Sequence, residues 1–292
     1  MVTRNKQRKY KRNIKKGGTH KIHPKCNPAV EGETINADSC LTKPLLAKAV
    51  FEGNKSIHNV MNECANDDKC VISKITNISQ RKEVENSAFV PKQPTEWNLN
   101  INEWLSDTDI LQVISQYVDA YNDFVFLGPS YIDFDYRLNS NECVENSLCE
   151  FSLADYIKKG KTKIGIILNL DDHTKSGSHW TSLYIDVKGK YMFYFDSAAN
   201  PMPREVSVLI NRIKKQAVAL HIRFKVHTNG TFEHQYSNTE CGMYSLFFLV
   251  TMLTNKYEDR LFKNIKHKTT FFKRHRVPDK YVEKLRSEYF HL

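Results

Sequence analysis

The polar loop QYSNTE (235–240) runs without a break into the apolar run CGMYSLFFLVTML (241–253), so Cys241 stands at the junction. A thiol attacks as its thiolate, and its ordinary pKa of about 8.5 must fall before much thiolate exists at neutral pH. A helix starting at Cys241 would offer unpaired N–H groups and the positive end of its dipole, both of which favour an anion. Gly242, lacking a side chain, leaves space there for the backbone of a substrate to approach. The pattern is that of a cysteine nucleophile, which needs a base, a group to orient the base, and donors for a developing oxyanion.

Among eleven histidines, His179 has the most useful neighbour. HWTSLYIDV and KYMFYFD read as strands joined at Lys188-Gly189, a pair suited to a two-residue turn. With that turn Val187 faces Lys190, Thr181 faces Asp196, and His179 lies one diagonal step from Asp196 on the same face. Diagonal neighbours are about 7–8 Å apart at Cα, within reach of a His–carboxylate hydrogen bond. A one-residue slip of register would separate them. The backbone N–H of Cys241 supplies one oxyanion donor, and the amide of Gln235, six residues upstream, supplies another. Taken singly these residues have commoner uses. An apolar-flanked cysteine is usually core; His173, His227 and His234, like His179, serve as surface or structural histidines elsewhere; an Asp in FDSAA can simply start a turn. Their combination carries the expectation.

The elements that must position these groups are legible from residue 97 onward. Ser106 and Asp109 form a capping signal, and Ile110, Val113, Ile114, Tyr117 and Val118 follow at helical spacing. FVFLGP, KIGIILNL and HIRFKVHT read as further strands. Pro203 opens a helix with Val206, Leu209, Ile210 and Ile213 on one stripe. The segment after Cys241 is apolar all round and predicts a buried helix, and DKYVEKLRSEYF a terminal one. No internal repeat or phosphate-binding glycine loop is present.

The 292 residues suffice for one large or two modest domains, and 40% hydrophobic content is enough for a core. No run approaches the ~18 apolar residues of a membrane span. The first residues lack an apolar signal region, so a chain that is not secreted is expected. Its seven cysteines are then expected as reduced thiols, and the Cys64/Cys70 and Cys143/Cys149 spacings are too wide for a CxxC metal site. Forty-three Lys and Arg against 33 Asp and Glu leave +10, and residues 1–25 alone hold ten basic residues with no acid. The other 267 residues are formally balanced. Residues 1–25 thus read as a disordered basic tail that contacts nucleic acid, another polyanion or a nuclear-import receptor, or that merely solubilises. Residues 26–95 read as a small, mostly helical region, PKQPTEWN (91–98) as a linker or an extended entry into the next unit, and residues 96–292 as the catalytic domain.

HW, an Asp 17 residues later, QYSNTECG and an earlier WLSDTDI together resemble the SUMO-protease/adenain superfamily of cysteine proteases. Within it they resemble the polyprotein-processing proteases of African swine fever virus and other large DNA viruses. The likeness spans roughly residues 97–255, with a looser echo at 38–74, and excludes 1–25; FDSAA carries Asp196 where the swine fever enzyme has Asn. The resemblance implies a papain-like α+β fold with a central sheet and the nucleophile at the N-terminus of a buried helix. It implies Cys241 as nucleophile, His179 as base, Asp196 as its orienter and Gln235 as oxyanion donor. It further implies that Trp180 packs over the site and that Trp104 and Asp107 line the substrate cleft, though Trp104 also suits a core and Asp107 a first helical turn. The implied substrate is a viral polyprotein cut after Gly-Gly-X-type sites during maturation in the virion and at host cytoplasmic assembly sites, with no metal or cofactor. Two other readings stay open: a protease deconjugating host ubiquitin-like modifiers, and an inert, basic-tailed virion protein. Lys16-Gly17-Gly18-Thr19 is itself a candidate self-cleavage site.

Overall fold

Five segments become strands in a computed structural model that describes residues 25–291: β1 (Phe124–Tyr131), β2 (Lys163–Asn169), β3 (Trp180–Asp186), β4 (Tyr191–Phe195) and β5 (Lys225–Thr228). They form one mixed sheet in the order β1-β2-β3-β4-β5. β1/β2 and β4/β5 run parallel, whereas β2/β3 and β3/β4 run antiparallel. The central strands read as nearly unbroken apolar runs because helices bury both faces of the sheet. Along β4, Tyr191, Phe193 and Phe195 point to one face, and Met192 and Tyr194 to the other. The first face is covered by the helices Asp107–Ala120 and Cys241–Thr254, the second by Arg204–Ala219. The chain is therefore α+β with a central sheet, as the resemblance implies.

The Cys241–Thr254 helix lies between the sheet and the C-terminal helix Ile265–Arg274, and twelve of its fourteen residues are buried. Phe248 meets Phe195 in a parallel stack (4.7 Å) and Phe272 edge-on (5.0 Å), so the helix is wedged between aromatic layers. Burial on all sides explains why its composition lacks a polar stripe. Helix Asp107–Ala120 starts at the reciprocal Ser106–Asp109 capping box, which satisfies two of its free N–H donors.

Four short helices between Lys43 and Ala88 enclose a separate core built on Leu41, Phe51, Val71 and Ile75. The segment 91–98, expected as a linker or an extended entry, is bound to the chain's C-terminal end. The Gln93 N–H donates to the His291 carbonyl (2.8 Å), and the buried Trp97 meets Phe290 edge-on (4.9 Å). All of the basic stretch except Lys25, including Gly17-Gly18, lies outside the described residues.

The expectation of seven reduced thiols is overturned. Cys26–Cys40, Cys64–Cys70 and Cys143–Cys149 are disulfides, which leaves Cys241 as the free cysteine. Spacing alone does not reveal such pairing, and the expectation of reduced thiols follows from compartment, not geometry. Iodoacetamide applied to the denatured, unreduced protein should therefore label one cysteine, and all seven after reduction; seven labels without reductant would refute the bridges.

Candidate active site

In the β3–β4 hairpin Asp186 pairs with Tyr191 and Ser182 with Phe195, the register that the Lys188-Gly189 turn implies. One step beyond the ladder, Thr181 comes opposite Asp196. His179 Nε2 then reaches Asp196 Oδ1 at 2.7 Å. Asp196 is fully buried, and the same Oδ1 accepts the Ala198 N–H (2.9 Å). Asn229 clamps the backbone of Asp196, its Oδ1 accepting the N–H (3.2 Å) and its Nδ2 donating to the carbonyl (2.7 Å).

With Nε2 engaged, Nδ1 is the ring nitrogen left for Cys241, whose thiol lies within hydrogen-bonding reach of the imidazole. Burial pulls the His179 pKa down, but the Asp196 hydrogen bond and charge, joined by Cys241, outweigh it and push the group up to about 9. The helix begins at Cys241 itself, with no side-chain cap on its first N–H groups. A protonated imidazole beside a sulfur at a helix N-terminus is an arrangement that supports a reactive thiolate.

Gln235 lies on the loop leading to Cys241, and its amide orientation is set by two contacts. Oε1 accepts from the Ser197 hydroxyl (2.7 Å), and Nε2 donates to the Ser237 carbonyl (2.8 Å). An amide has two N–H donors, so one is left beyond the contact with Ser237. The Gln235 N–H donates to the Ser197 carbonyl (3.0 Å), so the loop is fastened to the strand end that carries Asp196.

The WLSD segment packs beside Trp180 and Gly242. Trp180 Nε1 donates to the Leu105 carbonyl (3.0 Å), which ties the residue after the base to the segment 104–107. Leu105 also fills the space beside Gly242, where an added Cβ would stand 3.0 Å from the Leu105 Cβ. Gly242 thus admits Leu105 and not the expected substrate backbone. Trp104, next in chain, is 45% exposed, so it is not the core residue that its type also suited. Asp107 accepts the Thr108 N–H (2.7 Å) in the first helical turn, the plainer of its two sequence readings. Gly242→Ala should destabilise the protein by about 1–3 kcal/mol through overpacking against Leu105; an unchanged melting temperature would show that Leu105 yields freely.

Two contributors escape a reading of the sequence. Ser197 adjoins Asp196 in FDSAA, and that neighbour is the only signal available. Asn229 precedes Gly230, a pair with the composition of a turn. Among the described residues, no group of three His, Cys, Asp or Glu could hold a metal ion, and no helix is long and apolar enough to cross a membrane.

The chain is similar to known cysteine proteases. Residues 159–287 match the profile of the Ulp1 protease family, C-terminal catalytic domain. The chain is 27% identical over 238 residues to a SUMO-1 cysteine protease of African swine fever virus (a warthog isolate from Namibia), covering 75% of this chain and 83% of that protein. The cysteine protease of the Badajoz strain of the same virus is 26% identical over 240 residues, with the same coverage. The crystal structure of the African swine fever virus protease superposes with a TM-score of 0.64 at 24% identity, over 92% of this chain and 96% of that one.

Proposed function

We propose, from the match of residues 159–287 to the Ulp1 protease family, C-terminal catalytic domain, that the chain is a cysteine endopeptidase of a large DNA virus that processes capsid or core polyproteins. The observation that supports it most is His179 held between Asp196 and the free Cys241 at the start of a buried helix. The Cys241 sulfur attacks the scissile carbonyl carbon, and the oxygen takes the negative charge. The Cys241 backbone N–H and the unused Gln235 N–H donate to that oxygen. His179 gives its proton to the leaving amine as the C–N bond breaks, leaving a thioester. Water then attacks the thioester, passing a proton to His179, and the C–S bond breaks to release the acid and restore the enzyme. Each step uses groups of this chain and water only.

The substrate reading rests on the resemblance to viral polyprotein proteases, which implies a cleft too narrow for side chains beside the scissile bond and so a preference for glycine there. Incubating the wild type and Cys241→Ala with Gly-Gly-X and Gly-X-Gly peptides tests this: the wild type should cut after the glycine motif, and the variant should not. Rapid labelling of Cys241 by a ubiquitin-like activity probe, with the peptides uncut, would favour a deconjugating enzyme instead.

The basic stretch 1–25 fits a role in holding the enzyme on nucleic acid at the assembly site and in the virion. Binding through phosphate contacts falls steeply with salt. Deleting residues 1–25 should therefore abolish salt-sensitive DNA binding, and unchanged affinity at low salt would refute this role. Self-cleavage after Gly18 would remove Arg4, Lys6, Arg8, Lys9, Lys11, Arg12, Lys15 and Lys16. It should appear as a shorter mass in the wild type than in Cys241→Ala; equal masses, apart from the substitution, would exclude it.

A further inference from the structure

The loop that carries both Gln235 and Cys241 is gripped near each end by one charged residue of the C-terminal segment. Near Gln235, the Asp279 carboxylate accepts the Tyr236 N–H (3.0 and 3.2 Å), the Ser237 N–H (3.4 Å) and the Ser237 hydroxyl (3.3 Å). Ser237 is the residue whose carbonyl receives the Gln235 amide, so Asp279 sets the peptide planes that aim Gln235. The grip is built from several sides. Arg276 donates to Asp279 (2.7 Å) and lies over the Tyr236 ring (3.6 Å). The buried Tyr244, one turn into the nucleophile helix, places its hydroxyl 2.8 Å from the Val277 carbonyl and 3.2 Å from Asp279.

At the other end Glu240, immediately before Cys241, is fully buried and accepts two hydrogen bonds from Arg286 (2.9 and 3.1 Å). The Arg286 guanidinium is buried too and lies 4.5 Å from the Trp97 ring centroid. Burying an ion pair is costly, and an apolar replacement is often no less stable. A pair kept at this position is better explained by the geometry it imposes, because a bidentate guanidinium–carboxylate contact fixes orientation as well as distance. Neither Asp279 nor Arg286 belongs to the reacting set, and neither is needed to bring His179 to Asp196.

We propose that Asp279 and Arg286 are positioning residues that hold the 235–241 loop so that the Gln235 amide and the Cys241 backbone N–H converge on one oxyanion. The inference rests on the peptidase reading above and extends it to residues 38 and 45 positions beyond the nucleophile. It has a specific kinetic consequence. Amide hydrolysis develops charge on the carbonyl oxygen and needs the donors, whereas alkylation of Cys241 by iodoacetamide develops none there. Loosening the loop should therefore slow the first reaction and spare the second.

The test compares Asp279→Ala, Asp279→Asn, Arg286→Gln and Arg286→Lys in the full chain, each with a circular-dichroism melt to establish folding. In Asp279→Ala, kcat for a cleaved peptide should fall about 10²–10³-fold, the range for loss of one oxyanion donor. KM should change little, and the alkylation rate of Cys241 and its pH profile should match the wild type. Asp279→Asn keeps an acceptor for the loop N–H groups and Arg286→Lys keeps the charge, so both should recover part of kcat relative to Asp279→Ala and Arg286→Gln. If the harsher variants do not fold, the conservative pair decides. Wild-type kcat in folded variants overturns the proposal, as does a parallel loss of cleavage and alkylation, which marks a merely structural role. A wild type that neither cleaves peptides nor alkylates preferentially at Cys241 would instead sink the peptidase reading, and this proposal with it.

Discussion

Replacing Cys241 with alanine should abolish peptide cleavage, a loss of about 10⁴-fold or more by analogy with removal of a catalytic nucleophile, while the fold survives. No other described cysteine is available to substitute, since the remaining six are bonded in pairs. The structural change is small. One sulfur leaves a buried site, and its helix keeps Tyr244, Phe247 and Phe248 in the aromatic core. A buried atom lost from a helix start of this kind costs about 1 kcal/mol. The measurement is initial rate on the best peptide of the panel, with a thermal melt alongside. Cleavage surviving in a folded variant would move the nucleophile elsewhere and remove the reason for the His179–Asp196 pair. The same comparison excludes an inert virion protein, which would show no difference between the two forms.

The parts of this site readable from sequence are those governed by local periodicity. Lys188-Gly189 sets a two-residue turn, a turn sets a register, and the register alone carries His179 to Asp196. Likewise Ser106 and Asp109 announce a helix start because both contacts lie within one turn. What stays hidden depends on contacts between distant segments. Asn229 holds Asp196 across 33 residues, Asp279 holds Tyr236 across 43, and Arg286 holds Glu240 across 46. No periodicity links such positions. Trp97 is hidden differently. Its neighbours, PKQPTE, carry the composition of a linker, yet the indole is core, packed on Phe290 and Arg286. Gly242 is legible as a point of close approach, but the space a glycine leaves does not say what fills it, and here the occupant is Leu105.

These long contacts also explain how a reactive group is held inside such an apolar environment. The Cys241 helix has aromatic packing on most sides and little polar surface of its own. Its electrostatics are supplied from outside: Asp196 from the end of β4, Gln235 from the preceding loop, and Arg286 from the C-terminal helices, paired with Glu240 at the helix start. A low-dielectric setting strengthens each of these interactions and makes any misplaced one expensive. Cys241, Asp196 and Gln235 are thus held in buried positions by contacts from several segments.

Removing the Asp196 carboxylate should move the alkaline limb of peptide cleavage downward. His179 titrates at about 9 because the Asp196 hydrogen bond and charge, with Cys241, overcome a burial effect that acts in the opposite direction. In the proposed mechanism the protonated His179 imidazole donates to the leaving amine. In the wild type kcat/KM should therefore hold through neutral pH and fall as pH rises through about 9. Asp196→Ala deletes the Asp196 hydrogen bond and charge and leaves the burial and the Cys241 contribution, so the limb should shift down toward the ordinary histidine value of about 6.5. Activity near neutral pH should fall about 10²–10⁴-fold, the range for loss of a positioned acid–base group and its orienter. Asp196→Asn separates charge from geometry. Its Oδ1 can stay on Nε2 and on the Ala198 N–H, but the amide nitrogen replaces Oδ2, a buried atom with no partner among the described residues. An unsatisfied buried donor there costs about 1–3 kcal/mol, so the variant should melt lower while keeping more activity than Asp196→Ala. The decisive measurement is the pH dependence of kcat/KM for all three proteins. An alkaline limb that stays near pH 9 in both variants would mean that Asp196 does not hold the proton on His179, and the base would have to be oriented by another group.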